Sequence, residues 1–283
     1  EKSDGRFAQS ELCGVALKAP FGNRISRYFF SVEPRRPVFL KHTEHYTVKW
    51  HDTDVNRRVR PSQILMYMQE TANLQLERNM CNLDRLRDER GLAFLLSRVA
   101  IRIYHPLWTH EEIDVQTWVC DGHGLAFDRC FRILRGDEVV AEAFSVWALM
   151  ELGSQKLLRR DQFSYPFPGD EPLKLDLPLR FRVPHVEEML LAGHRSIVYS
   201  DIDYNGHMNN TRYPDMLCDF TPEICDRQVT GVVLSYLHEA AFGKTLAVYR
   251  KDNGEEHLFR TVDEDGNTCL EARLLTAPLT TGN

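Results

Sequence analysis

Asp203, Asn205 and His207 stand at alternate positions in the run Asp201-Ile202-Asp203-Tyr204-Asn205-Gly206-His207-Met208. On an extended segment alternate side chains point to one side, so an acid, an amide and an imidazole would share a face. The run follows a strand-like stretch, Ser196 to Ser200, and leads into a helix candidate from about Asn209 to Phe220. The first N–H groups of a helix lack intrahelical acceptors and carry partial positive charge. Such a grouping can orient a water, hold a carbonyl and stabilise an oxyanion, which is what carbonyl hydrolysis asks for. The same residue types also cap helices and form turns, and the spacing alone does not separate the two readings.

An internal repeat does more. Trp50-His51-Asp52-Thr53-Asp54-Val55-Asn56-Arg57-Arg58-Val59 carries the same D-x-D-x-N order behind another strand-like stretch, Tyr46 to Trp50. Asp54 and Asn56 match Asp203 and Asn205, but Arg58 stands where the second copy has His207. Arginine stays protonated in proteins and cannot act as a neutral base. The repeat therefore predicts two similar halves, of which only the second keeps the chemistry.

The elements needed to position these loops are legible as patterns. Pro61 opens a helix expected to run to about Met80, with Ile64, Met68, Ala72 and Leu76 as its apolar stripe. Strands are expected at Leu92–Tyr104, Ile113–Cys120, Ala126–Leu134 and Val139–Glu151, then at Gly231–Ala241, Thr245–Tyr249, His257–Val262 and Thr268–Leu275. Each half thus reads β-α-β-β-β-β, an α+β arrangement of one helix against an antiparallel sheet. Pro214 implies a short or bent second helix. The expected division is an N-terminal arm (1–40, with Phe29 and Phe30), a first domain (41–160), an extended proline-rich linker (161–192) and a second domain (193–283).

Composition narrows the function classes. A formal charge of −6 over 283 residues argues against binding nucleic acid mainly through phosphates. Seven cysteines without C-x-x-C spacing argue against a disulfide framework or structural zinc, and favour a reducing compartment. No apolar run approaches the roughly 20 residues of a membrane-spanning helix. The expected location is cytoplasmic, or plastid stroma if a transit peptide has been removed.

With these residues in view, the chain resembles the acyl-acyl carrier protein (acyl-ACP) thioesterases of plants and bacteria, built as two tandem hotdog domains. Asp201 through Asn210 resembles that family's D-x-D-x-N-x-H-x-N-N signature; Trp50 to Asp54 and Ser145 to Met150 resemble elements of its first hotdog. The resemblance runs from about His45 to Leu275 and implies hydrolysis of fatty acyl-ACP to free fatty acid and ACP, terminating fatty acid synthesis, with no cofactor or metal. It implies Asp203, Asn205, His207 and Glu239 as catalytic residues: Asn205 on the thioester carbonyl, Asp203 orienting Asn205 and His207, and Glu239 and His207 on the attacking water. Ala240 follows Glu239 where family members often have cysteine, and Gly206 replaces the glutamine of plant members. The acyl chain is expected in the first domain, against Met66, Met68, Ala72, Leu76, Leu95 and Val99, each of which also fits plain core packing. Because ACP is acidic, Arg57, Arg58, Arg60, Arg159 and Arg160 are docking candidates, as are Lys156, Arg180 and Arg182. An acyl-coenzyme A thioesterase and a silent acyl-binding hotdog protein remain open, as do monomer and homodimer.

Overall fold

The computed structural model describes residues 41–79, 81–165 and 168–279; the expected arm at 1–40, with Phe29 and Phe30, lies outside them, as does Met80. The first half consists of β1 (His42–Thr47), α1 (Pro61–Arg78), α2 (Leu83–Arg90), β2 (Leu92–Ile103), β3 (Glu112–Val119), β4 (Phe127–Arg135), β5 (Glu138–Glu151) and β6 (Lys156–Leu158). The second consists of β7 (Leu190–Ser196), α3 (Tyr213–Asp219), β8 (Arg227–Tyr236), β9 (Thr245–Asn253), β10 (Glu256–Val262) and β11 (Thr268–Pro278). All join one 11-stranded sheet in the order β1-β3-β4-β5-β2-β8-β11-β10-β9-β7, with β6 beside β5. Read from either end the order is the same once each strand is replaced by its counterpart, so a pseudo-two-fold axis passes between β2 and β8. Those two strands pair antiparallel from Arg98↔Ser235 to Arg102↔Gly231.

Alternation along the central strands explains the layers. Val99 and Ile101 on β2, with Val232 and Leu234 on β8, join the main core beneath Ile64, Leu65, Met68 and Ala72 of α1 and Met216 and Leu217 of α3. Ala100 and Val233, between them in sequence, face the other side. There the proline-rich segment is a strap. Leu173 packs beside Trp118, Cys120 and Cys130; Leu175, Leu177, Leu179 and Phe181 pack on Ala100 and Val233. Its ends are tied by hydrogen bonds from Trp118 Nε1 to the Glu171 carbonyl (2.9 Å) and from Arg260 to the Val183 carbonyl (3.4 Å). Among the described residues no strand is assigned between Leu158 and Leu190, yet every second residue from Leu173 to Phe181 is apolar, the pattern of an extended segment with one buried face. At Gly231 a Cβ would stand 3.1 Å from Leu177 Cδ2 and 3.3 Å from Leu275 Cδ1, so the missing side chain is the notch that seats the strap.

Several boundaries differ from expectation for identifiable reasons. The strands expected at Tyr46–Trp50 and Ser196–Ser200 end earlier, at Thr47 and Ser196, and are followed by 3-10 turns at Trp50–Asp52 and Tyr199–Asp201. Each turn is closed by the buried first aspartate of its motif: Asp52 accepts from the Lys49 N–H (2.7 Å) and Asp201 from the Val198 N–H (2.9 Å). The strand expected at Gly231–Ala241 runs instead from Arg227 to Tyr236. Helix α2 was not expected; Leu83-Asp84-Arg85-Leu86-Arg87-Asp88-Glu89-Arg90 has little apolar periodicity. Its ends are nonetheless marked, by Asn82 capping the Asp84 and Arg85 N–H groups and by left-handed Gly91. The second helix is a 3-10 turn, Asn210–Arg212, running into α3, with Pro214 in the first turn, where no intrahelical N–H is needed. Among the described residues no helix is long and apolar enough to cross a membrane.

Leu177 is 4% exposed at the centre of the strap. Leu177→Ala is expected to cost about 2–4 kcal/mol of stability by removing apolar contact and leaving a cavity. Denaturant unfolding of the variant beside wild type would measure it.

Candidate active site

The strand overrun at the junction makes the site. β2 begins at Leu92 but pairs with β8 only from Arg98, so Leu92–Ser97 is bonded to β5 on one side and unpaired with β8 on the other. The register of β2 against β5 slips between Leu96 and Arg98, leaving Ser97 as a bulge. β8 ends at Tyr236; the Leu237 and His238 N–H groups still donate to the Cys269 carbonyl of β11 (2.9 and 3.2 Å), and the chain runs on as a loop through Glu239. Between these edges lies a cleft of about 860 Å³. Its apolar wall comes from the first half: Leu86, Leu92, Phe94, Leu95, Trp147 and Ala148 are among its lining residues. Its polar wall comes from the second half and includes Asp203, Asn205, His207 and Glu239.

The loop from Ile202 to Met208 is a small closed hairpin. Ile202 and Met208 bridge, the Asp203 N–H donates to the His207 carbonyl (3.1 Å) and the Gly206 N–H to the Asp203 carbonyl (3.0 Å). Asp203 Oδ1 accepts the Asn205 N–H (2.8 Å). Asp203 therefore shapes the loop through its backbone rather than by touching the imidazole. Gly206 has φ +81°, in the left-handed region that glycine enters without strain. His207 bridges Ala241, which carries its ring to Glu239: Nε2 and Oε2 are 3.1 Å apart. Glu239 lies beyond the end of β8, on the loop rather than on the strand expected to hold it.

The start of the second helix is less open than its sequence suggested. The Met208 N–H donates to the Ala240 carbonyl, the Asn209 N–H to the Asp201 carbonyl (each 2.8 Å) and the Thr211 N–H to Asn209 Oδ1 (2.9 Å). Those three groups are spent, whereas Asn210, between them in sequence, lines the cleft. Asn205 Oδ1 accepts from Arg87 Nη1 of α2, a residue the sequence reading missed. Tyr213 and Tyr236 also line the cleft; burial pushes both phenols up, so they stay protonated. The Tyr236 hydroxyl donates to the Asn210 carbonyl (2.9 Å).

The first-half loop has the same fold and opposite contents. Thr53 and Val59 bridge, and Asp54 Oδ1 accepts the Asn56 N–H (2.8 Å). Arg57 has φ +62°, where the second loop has Gly206. Arg58 bridges Trp108 as His207 bridges Ala241, and the Val59 N–H meets the Leu107 carbonyl as Met208 meets Ala240. Pro106 thus occupies the place of Glu239. Arg58 is buried, donates to Gln228 Oε1 (2.7 Å) and lies over the Trp108 ring. The cleft on this side is only about 50 Å³.

Of the residues expected along the acyl chain, Leu95 lines the large cleft. Met68, Ala72 and Val99 sit in the main core, Leu76 in a second cluster with Leu86, Leu92 and Phe127, and Met66 is half-buried on α1. Among the docking candidates, Arg57 and Arg60 are exposed. Arg58 is not available for docking, because Gln228 and Trp108 enclose it. Arg160 lies over the Phe127 and Tyr165 rings and donates to the Phe163 carbonyl, while Arg159 is exposed and paired with Asp161 (3.4 Å).

Known proteins resemble this chain in sequence and fold. The family model for the acyl-ACP thioesterase N-terminal domain matches residues 40–162, and that for the C-terminal domain matches residues 192–273. A chloroplastic acyl-[acyl-carrier-protein] hydrolase of Cuphea viscosissima is 22% identical over 265 residues, covering 84% of this chain and 63% of that protein. A chloroplastic palmitoyl-acyl carrier protein thioesterase of Cuphea hookeriana is 21% identical, covering 81% and 60%. The chain thus spans less than two thirds of the length of these curated relatives. In fold, it is similar to the crystal structure of an acyl-ACP thioesterase from Bacteroides thetaiotaomicron (TM-score 0.76, 23% identity, 84% of this chain and 98% of that one). It is similar too to a 12:0-ACP thioesterase from Umbellularia californica (TM-score 0.70, 15% identity, 87% and 100%). With both halves matched in order and the two-hotdog fold shared, the chain belongs to the acyl-ACP thioesterase family.

Proposed function

We propose that this protein hydrolyses fatty acyl-ACP thioesters, releasing a free fatty acid and the carrier thiol, at the large cleft between its halves. The observation that carries the proposal is the division of labour in that cleft: an apolar wall from the first half faces Asn205 and the His207–Glu239 pair of the second. An acyl chain lies along Leu92, Phe94, Leu95 and Trp147, which sets its thioester carbon beside the polar wall. Asn205 Nδ2 donates to the carbonyl oxygen. Glu239, oriented by its direct contact with His207, takes a proton from a water held at its carboxylate as the water oxygen attacks the carbonyl carbon. The tetrahedral oxyanion is stabilised by the Asn205 amide. It collapses by breaking the C–S bond, and the departing thiolate takes a proton from the Glu239–His207 pair, which returns the site to its starting state. Ala240 offers no nucleophile, in keeping with attack by water. The carrier is the finer part of the proposal: the family match favours ACP, and an acyl-coenzyme A substrate would use the same steps.

Asn205→Ala should lower turnover by about 10²–10³-fold, as loss of one oxyanion donor does, and Glu239→Ala by about 10²–10⁴-fold, as loss of a general base does. Free-thiol release from acyl-ACP and acyl-coenzyme A of matched chain length would measure both and rank the carriers. Wild-type rates in the folded variants would refute the assignment. Chain length supplies a second test, because Ala148 sits opposite Leu95 in the β2–β5 ladder on the apolar wall. Ala148→Trp should depress kcat/KM for the longest acyl groups about tenfold or more relative to the shortest, by removing room for methylenes. A panel of acyl lengths would show the shift.

A further inference from the structure

The two loops hold their asparagines in opposite senses. Asn56 faces the Cys225 carbonyl oxygen at 2.7 Å. A carbonyl only accepts, so the atom turned to it is Nδ2, and the amide's donor is consumed inside the protein. Asn205 faces Arg87 Nη1 at 2.5 Å. A guanidinium only donates, so the atom turned to it is Oδ1. The chemistry of each partner fixes the orientation of an amide whose two ends otherwise look alike. In the second loop, Nδ2 has no protein partner among the described residues, and the side chain lines the cleft.

Arg87 is itself held for this. It follows Leu86, which is 2% exposed and anchors α2 in the first-half core. Its guanidinium lies over the Tyr204 ring at 5.3 Å. Among the described residues it makes no ion pair, although Asp84 and Asp88 share its helix; Arg85 on the same helix pairs with Glu89. The second half has only the 3-10 turn Ile224–Asp226 in the place of α2, and there Cys225 offers its backbone carbonyl.

We infer that Arg87 is a positioning residue for hydrolysis: by holding Asn205 Oδ1 from the other half, it turns Nδ2 toward the substrate carbonyl oxygen. The inference rests on the thioesterase reading of the cleft. Arg87 does not touch the reacting atoms; it acts through Asn205 and makes the first half a part of the catalytic machinery as well as the acyl wall. Charge on the guanidinium also draws electron density to Oδ1, which strengthens Nδ2 as a donor.

The test is steady-state thiol release by wild type, Arg87→Ala, Arg87→Lys, Asn205→Ala and the Arg87→Ala/Asn205→Ala double variant, with thermal melts to confirm that each is folded. Arg87→Ala should lower kcat about 10- to 100-fold, the loss expected for a hydrogen bond to a charged group, with KM moved less than about threefold. Arg87→Lys, which keeps a charged donor, should recover part of kcat. The double variant should be no slower than Asn205→Ala, because Arg87 then has nothing left to position. A wild-type kcat in Arg87→Ala would overturn the inference, as would effects that multiply in the double variant or a rise in KM alone; the last two would point to direct contact with the carrier. If wild type releases thiol, any of these results leaves the thioesterase reading standing. If wild type releases none from either carrier, the hydrolytic reading falls and the inference with it.

Discussion

The antiparallel contact between β2 and β8 joins only Arg98–Arg102 to Gly231–Ser235, while both strands are longer. Because antiparallel strands of similar length paired about a two-fold axis overrun each other at opposite ends, the junction necessarily leaves two unpaired edges. One is Leu92–Ser97, facing the loop that holds Glu239; the other is Arg227–Thr230, facing the turn that holds Pro106. Everything else about the molecule's two sides follows from how those edges are used. At the first, apolar side chains and a bulge keep a cleft open. At the second, Arg58 reaches Gln228 and closes it. A buried arginine left without its partner would be costly, so the closing contact is structural, and the Arg58 charge helps hold the halves together.

The loops share one backbone and differ in their side chains. Both keep the second aspartate's hold on the asparagine N–H, both keep a left-handed residue at the same point, and both keep a bridge to the turn that leads into β3 or β9. The differences are in side chains: histidine against arginine, glutamate against proline, and an amide turned by a guanidinium against one turned by a carbonyl. The first aspartates are anchored differently too. Asp52 accepts from the Tyr67 hydroxyl of α1 (2.6 Å), and burial together with that carboxylate pushes the phenol up, whereas Asp201 is held by Arg195 of β7.

Much of this was legible in the sequence because it is local. The D-x-D-x-N repeat, the apolar stripe of α1 and the alternation of the strands are properties of neighbouring residues, and they carried the α+β reading and the resemblance to tandem hotdogs. Asp203, Asn205, His207 and Glu239 do meet at one cleft. What escaped is set by tertiary register. Nothing near Leu95 says that β2 outruns β8, so the apolar wall was sought along α1 and Val99, which the fold commits to core. Arg58 looked like surface charge because its partner Gln228 is remote in sequence. Helix α2 was hidden by its charge, although Asn82 and Gly91 marked both ends. The strap was read as a linker on its prolines, while the apolar alternation from Leu173 to Phe181 and the doubly apolar faces of Val99-Ala100-Ile101 and Val232-Val233-Leu234 pointed to a missing layer.

That strap has a consequence for symmetry. A single run of chain laid across a two-fold axis cannot itself obey the axis; it must enter on one side and leave on the other. The strands beneath it are therefore forced apart in composition: Leu177 sits in the notch at Gly231, while the position on β2 related to Gly231 by the pseudo-axis is Arg98, which has no such notch. Two identical halves could not both fit this strap. Fusing the halves through it breaks their equivalence at the backbone level, and once the copies are no longer interchangeable, each is free to differ, one giving the cleft its polar wall and one its apolar wall.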